Sequence, residues 1–179
     1  YFISLLILFA FGSHGFVMVY HYFKHRDTTD AETLPLTEFP MVTVQLPIFN
    51  EMYVVRRLVE ASCAIKYPGD KLEIQVLDDS TDETVELVEN IVRKMKERGH
   101  NIHHVRRSTR QGFKAGALKD GLQLATGEFI AIFDADFVPR EEFLLKTLPY
   151  FYSDKKIGMV QTRWEHLNGE YSLLTRTQA

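Results

Sequence analysis

Cysteine is nearly missing from this sequence: Cys63 is the one such residue among 179. An internal disulfide is therefore excluded, and a reducing, cytosol-facing compartment fits. Cys63 sits among apolar neighbours in a helical-looking run, which reads as an inert buried thiol. Basic excess is missing too. The formal net charge is −3 and the sequence pI about 6.2, the opposite of the balance expected of a nucleic-acid binder, so no nucleic-acid partner is expected. There is no G-x-x-x-x-G-K-[ST] loop and no G-x-G-x-x-G fingerprint, which sets aside a Walker-type nucleotide site and a dinucleotide fold. Internal repeats and low-complexity tracts are absent. The seven histidines are scattered, and the adjacent pair His103-His104 lies on a strand-like run, where neighbours face opposite sides and make a poor metal pair.

What is present falls into three parts. Residues 1–23 carry no formal charge and are mostly apolar. As a helix they extend about 34 Å, enough to cross a hydrocarbon core of about 30 Å. The run reads as a transmembrane helix, the alternative being a buried or interfacial one, with Gly12-Ser13-His14-Gly15 interrupting it. No basic region precedes it and no small-residue cleavage site closes it, unlike a signal peptide. Lys24, His25 and Arg26 follow, a basic flank that favours the cytoplasmic side. Residues 24–40, with Pro35 and Pro40, read as a juxtamembrane linker. The chain opens on Tyr1 rather than Met and closes on what reads as a rising helix, so it is expected to continue at both ends.

From residue 41 strand-like and helical runs alternate. Strands are expected at 42–47, 73–78, 102–106, 128–133 and 157–162, and helices near 51–65, 82–98, 113–125 and 140–152. Val85, Val88, Val92 and Met95 recur at helical spacing. Ser80 and Glu83 have the spacing of a capping box, and Gly99 ends that helix. Such alternation implies an α/β domain with a mostly parallel sheet covered by helices on both faces.

In open α/β sheets the site lies at the carboxyl ends of the strands. There the sequence places Pro47-Ile48-Phe49-Asn50-Glu51, then Asp78-Asp79-Ser80, then Asp134-Ala135-Asp136. In extended chain, residues two apart project to one side, so Asp134 and Asp136 can share a cation. Oxygen ligands without clustered cysteine or histidine suit Mg2+ or Mn2+ rather than Zn2+. Read without an ion, the pair caps the next helix. The run from Arg106 to Gly116 offers four cations (Arg106, Arg107, Arg110 and Lys114) and glycines ahead of a helix start. It suits a diphosphate or, alternatively, forms a solvated basic loop.

Four motifs stand in order: LPIFNE (46–51), VLDDSTDET (76–84), RQGFKAGAL (110–118) and FDADFVP (133–139). Together, over roughly 41–168, they resemble the family-2 glycosyltransferases, most of all the membrane polysaccharide synthases of the cellulose and glucomannan synthase-like group. The resemblance implies a GT-A fold for residues 41–179, as the N-terminal part of that domain. It also implies an inverting hexosyl transfer from a UDP- or GDP-sugar to a growing polysaccharide acceptor. Of the loop matching Pro47 to Glu51, it implies that Pro47, Ile48, Asn50 and Glu51, with Asp79 and Asp78 beside it, hold base and ribose. Lys114 matches the lysine approaching the diphosphate, and Asp134 and Asp136 match the metal pair, Asp136 the more direct ligand. The family's catalytic base is a carboxylate further downstream. Gln161-Thr162-Arg163-Trp164 looks like the family's Q-x-x-R-W motif but is one residue short, and reads as the end of the next strand. Trp164 is a candidate to stack on an acceptor sugar, or a core or rim residue. Readings left open are a single-sugar transferase acting on a lipid carrier to give a glycolipid, a nucleotidyltransferase, and a membrane-tethered binding module. The implied location is integral to a bacterial inner membrane or a Golgi-type membrane, catalytic domain towards the cytosol.

Overall fold

A computed structural model describes residues 1–25, 36 and 38–162. The chain divides into two compact units at Leu34 and Pro35, each described by itself. The first contains, among the described residues, helix α1 (Phe2–His25). Its segment Phe2–Lys24 contains an 18-residue stretch with a mean hydropathy of 2.1 and is long and apolar enough to cross a membrane. Its aromatic and aliphatic side chains are exposed within the chain. That is the arrangement expected of a helix whose solvent is lipid rather than a protein core. Most of the expected linker lies outside the described residues.

The second unit runs β1 (Val42–Ile48), α2 (Val55–Cys63), β2 (Leu72–Asp78), α3 (Thr84–Glu97), β3 (Ile102–Val105), α4 (Phe113–Leu122), β4 (Phe129–Ile132) and α5 (Phe143–Ser153). Four strands form one parallel sheet in the order β3-β2-β1-β4. Side-chain alternation divides the sheet into two different faces. Val42, Val44, Leu46 and Ile48 of β1 and Leu72, Ile74 and Val76 of β2 share one face with the apolar sides of α2 and α3. Val88, Ile91, Val92 and Met95 supply the α3 side. Phe133 meets Phe143 at the start of α5 with ring centroids 4.8 Å apart. These residues form the core.

The opposite face is polar. Thr43, Gln45, Glu73 and Gln75 point the other way and are buried all the same. Burying such groups costs free energy unless they are paired, and they are. The Gln45 and Gln75 side-chain amides meet at 3.1 Å, Gln75 turned so that its NH2 donates to the Gly121 carbonyl at 3.0 Å and its oxygen accepts the Ala125 N–H at 3.2 Å, and the Thr43 hydroxyl donates to Glu73 at 2.6 Å. Small residues let α4 come down onto this ladder: a Cβ on Gly121 would meet Leu77 at 2.7 Å and Gln45 at 2.8 Å.

Two expectations are corrected here. Residues 157–162 join no strand of the sheet, and Met159 is 77% exposed. Alternating apolar residues make a strand only where an edge pairs with them, and none does among the described residues. The Ser80–Glu83 capping box does not form either. Helix α3 starts at Thr84, whose N–H donates to the Asp82 carboxylate at 3.0 Å. The Ser80 hydroxyl instead accepts the Asn50 N–H at 2.9 Å, because Ser80 lies at the strand tip and not at the helix start. Gly99 does end α3, with φ +92°, a conformation that glycine adopts without Cβ strain.

Candidate active site

Strand register opens the site. The β1–β2 ladder runs on to Ile48 opposite Asp78, whereas the β1–β4 ladder stops at Gln45 opposite Ile132. Pro47, which has no N–H to give a neighbour, therefore costs β4 no hydrogen bond. Past this step the chain leaves β4 and turns, with the Phe137 N–H donating to the Asp134 carbonyl at 3.0 Å. Asp134 and Asp136 accordingly stand in a turn and not in extended chain, which corrects the simple alternation argument. Both nevertheless line one cleft of about 510 Å3.

Pro47, Ile48, Glu51, Asp79, Lys114, Asp134 and Asp136 are brought together in that cleft, joined by Phe49, Arg110, Ala117 and Ala135. Asn50 and Asp78 lie outside its lining. Asn50 adopts a left-handed conformation (φ +56°), which asparagine tolerates better than most residues. Its side-chain oxygen accepts the Thr81 N–H at 2.9 Å. The Asp79 N–H meanwhile donates to the Ile48 carbonyl at 3.0 Å. The tips of β1 and β2 are thus cross-linked.

Asp78 and Asp79 part company for a reason of parity: consecutive strand residues face opposite sides. Asp78 is buried on the apolar face, 2.8 Å from His104 Nε2 and accepting the Ser80 N–H at 2.8 Å. Burial pushes its carboxyl up, but the hydrogen bonds from His104 and Ser80 outweigh this and hold it below the ordinary carboxylate value. Asp79 faces the cleft side, bound by Arg107.

The basic run is also divided. Arg106 donates to the Ser80 carbonyl at 3.1 Å, and Arg107 serves Asp79. Two of the four expected cations are therefore spent on the β2 tip, and Arg110 and Lys114 remain to line the cleft. Lys114, exposed at the start of α4, pairs with Asp134. The Arg110 guanidinium carbon lies 3.3 Å over the Phe49 ring centroid and 5.0 Å from that of Phe113, a cation–π stack. The sequence offers Arg107 and Arg110 only as members of a run of cations suited to a diphosphate, and neither the Arg107–Asp79 pairing nor the Phe49–Arg110 stack is foreseen by it. The run of arginines was the available signal, but no spacing rule tells which of them turns inward. Trp164 lies outside the described residues.

No group of three His, Cys, Asp or Glu side chains is gathered tightly enough to enclose an ion among the described residues. Two carboxylates in an open cleft are a partial, all-oxygen donor set. That fits Mg2+ or Mn2+, which keep positions for water and phosphate oxygens, and it fits Zn2+ poorly.

A family model described as glycosyl transferase family 2 matches residues 43–178. Among curated relatives, a probable glucomannan 4-beta-mannosyltransferase 7 of Oryza sativa subsp. japonica is 48% identical over 145 residues, covering 79% of this chain and 25% of that protein. Glucomannan 4-beta-mannosyltransferase 9 of Arabidopsis thaliana is 41% identical over 160 residues, covering 87% of this chain and 30% of that protein. The chain thus spans about a quarter to a third of the length of these relatives. Among solved structures, the mannosyltransferase PcManGT from Pyrobaculum calidifontis in complex with GDP-Man and Mn2+ aligns with a TM-score of 0.67. It is 30% identical, and the match covers 81% of this chain and 42% of that one. S. aureus TarS in complex with UDP aligns with a TM-score of 0.54 at 24% identity over 63% of this chain and 32% of that one, a likeness of fold alone. The parallel sheet and its helices are those of the GT-A fold, and the chain belongs to glycosyl transferase family 2.

Proposed function

We propose that this chain supplies the donor-binding part of an enzyme that moves a hexose, in our reading mannose from GDP-mannose, onto a growing polysaccharide at a membrane. The observation that carries the proposal is the convergence of Asp79, Lys114, Asp134 and Asp136 on one cleft from three separate elements. The mannosyltransferase relatives and the GDP-Man complex support the choice of sugar and base.

In this reading Pro47, Ile48, Glu51 and Asp79 hold the base and ribose, and the diphosphate lies towards Lys114. Lys114 then exchanges its Asp134 partner for phosphate oxygens and stabilises the charge that builds on the leaving diphosphate. Asp136, with Asp134 once released, would hold a divalent cation, which supplies further charge neutralisation when bound. Asn50 keeps the tips of β1 and β2 in register, and Asp78 braces β2 against β3 through His104. Helix α1 anchors the enzyme, and the basic residues after it put the catalytic unit on the cytosolic side.

The test is transfer from radiolabelled GDP-mannose and UDP-glucose by the full protein in membranes, with Mn2+, with Mg2+ and with EDTA. Polymer is expected from GDP-mannose and either metal, and none with EDTA. Asp136 is exposed and makes no ion pair among the described residues. Asp136→Ala should therefore leave the unfolding midpoint unchanged while transfer falls by about a hundredfold or more. Near-normal turnover in that variant removes the cation from the mechanism.

A further inference from the structure

Arg107 commits its whole guanidinium at the edge of the cleft. A guanidinium has five N–H donors in a fixed plane, and all five are engaged. Nε and Nη2 grip the two oxygens of Asp79 at 2.7 and 2.6 Å. Nη2 also donates to the Phe113 carbonyl at 2.7 Å, while Nη1 donates to the Gln111 carbonyl at 2.8 Å and to Asp120 at 3.3 Å. One side chain thus binds the tip of β2, the turn before α4, and α4 itself.

The backbone is shaped to this purpose. Gly112 and Phe113 are both left-handed, with φ +73° and +50°. For glycine that conformation is free of Cβ strain, but for a residue as bulky as phenylalanine it is strained. Such strain persists only where surrounding contacts hold it, and here the carbonyls on either side of Gly112 are both held by Arg107. Gly116, one turn on, leaves the necessary space. A Cβ there would lie 2.0 Å from the Gln111 oxygen and 2.5 Å from Arg107 Nη1.

We propose that Arg107 is a positioning residue that presents Asp79 and Lys114 as one rigid unit, and that Gly116 is required because any side chain there displaces it. The proposal rests on the donor-site reading above, in which Asp79 serves the base side of the nucleotide and Lys114 its diphosphate. Lys114 directly follows Phe113, so the carbonyl that Arg107 holds also sets the first turn of α4. Lysine cannot substitute, since an ammonium lacks the planar fork.

The experiment compares the full wild-type protein with Arg107→Lys, Arg107→Ala and Gly116→Ala, reading GDP affinity by calorimetry in Mn2+ alongside the unfolding midpoint. Wild-type transfer from GDP-mannose is measured first, and its absence counts against the functional proposal. GDP affinity reads the positioning role whether or not transfer is seen. Arg107→Lys and Gly116→Ala are each expected to lower the unfolding midpoint and, measured well below it where each variant is fully folded, to weaken GDP at least tenfold. Millimolar methylguanidinium should restore part of the affinity of Arg107→Ala, which added ammonium should not. Affinity within twofold of wild type in both Arg107→Lys and Gly116→Ala overturns the proposal. So does a loss of affinity that merely tracks loss of folded protein, since Arg107 would then be holding the fold rather than the site.

Discussion

Glu73 is the sharpest place to perturb the scaffold without touching the cleft. It lies near the start of β2, at the amino edge of the sheet, with its side chain 6% exposed. Three groups donate to one carboxylate oxygen: the Thr43 hydroxyl at 2.6 Å, the Thr126 N–H at 2.9 Å and the Thr126 hydroxyl at 2.9 Å. Thr43 in turn accepts the Gly127 N–H at 2.8 Å, so the network sews β1, β2 and the turn before β4 together. Burial pushes the Glu73 carboxyl up, but these hydrogen bonds outweigh it and leave the group below its ordinary value. Hydrogen bonds to a charged group contribute about 1.5–3 kcal/mol each, partly offset by the cost of desolvating the carboxylate. Thr126 is near water and can recover a partner there, whereas Thr43 cannot. Glu73→Ala should therefore cost about 3 kcal/mol, and the isosteric Glu73→Gln about 1–2 kcal/mol, because a neutral amide oxygen accepts the same three donors more weakly than a carboxylate does. A carboxyl with a depressed folded-state pKa adds stability that is full above its unfolded value, about 4.3, and is lost as pH falls through the lower folded value. The gap between wild type and Glu73→Gln, read by urea unfolding followed by circular dichroism, should be widest near neutral pH and close in acid. A gap that stays constant from about pH 7 to about pH 3 would show that the ionised form is not what the network holds.

Two further outcomes follow from the same physics. Asp78→Asn should cost about 1–3 kcal/mol and remove part of the acid-limb pH dependence. Asp78 is the second buried carboxyl held below its usual value, so Glu73→Gln alone should leave a residual slope, and the double variant a flatter one. Burial pushes the Cys63 thiol up to about 11, with Glu60 adding to it. Its reaction with a disulfide reagent at about pH 8 should accordingly be slower than that of a free thiol by roughly a hundredfold or more, and should become fast only in denaturant. Rapid labelling of the native chain would contradict the packing around α2.

The order of elements was legible because each run had one dominant period. Val42 to Ile48 and Leu72 to Asp78 fill seven-residue strands, and the spacing of Val88, Val92 and Met95 puts them on the buried side of α3. Features that depend on partners were not legible. Residues 157–162 look like a strand by composition, yet pairing is a property of two segments, and no local pattern contains it. Ser80 and Glu83 satisfy a capping spacing, but the Ser80 hydroxyl was already committed to Asn50, thirty positions upstream. Nor could spacing apportion the arginines, since which guanidinium meets Asp79 depends on two left-handed residues at 112 and 113. The separation of Asp78 from Asp79, by contrast, was available in principle from strand parity.

That parity explains how one sheet serves as both scaffold and site. Residues 42, 44, 46 and 48 and their neighbours 72, 74 and 76 bury an apolar core, and Asp78, the last of the β2 series, meets His104 on that same face. Residues 43, 45, 73 and 75 build a hydrogen-bonded polar face, and continuing the count brings Pro47 and Asp79 to the cleft. Polar pairing specifies strand register more strictly than apolar contact does. A slip of one residue would exchange the two faces and bury Glu73 among aliphatic side chains, where no donor awaits it. The buried acid at the amino edge therefore helps hold the cleft acids at the carboxyl edge in line, although the two lie at opposite ends of the strands.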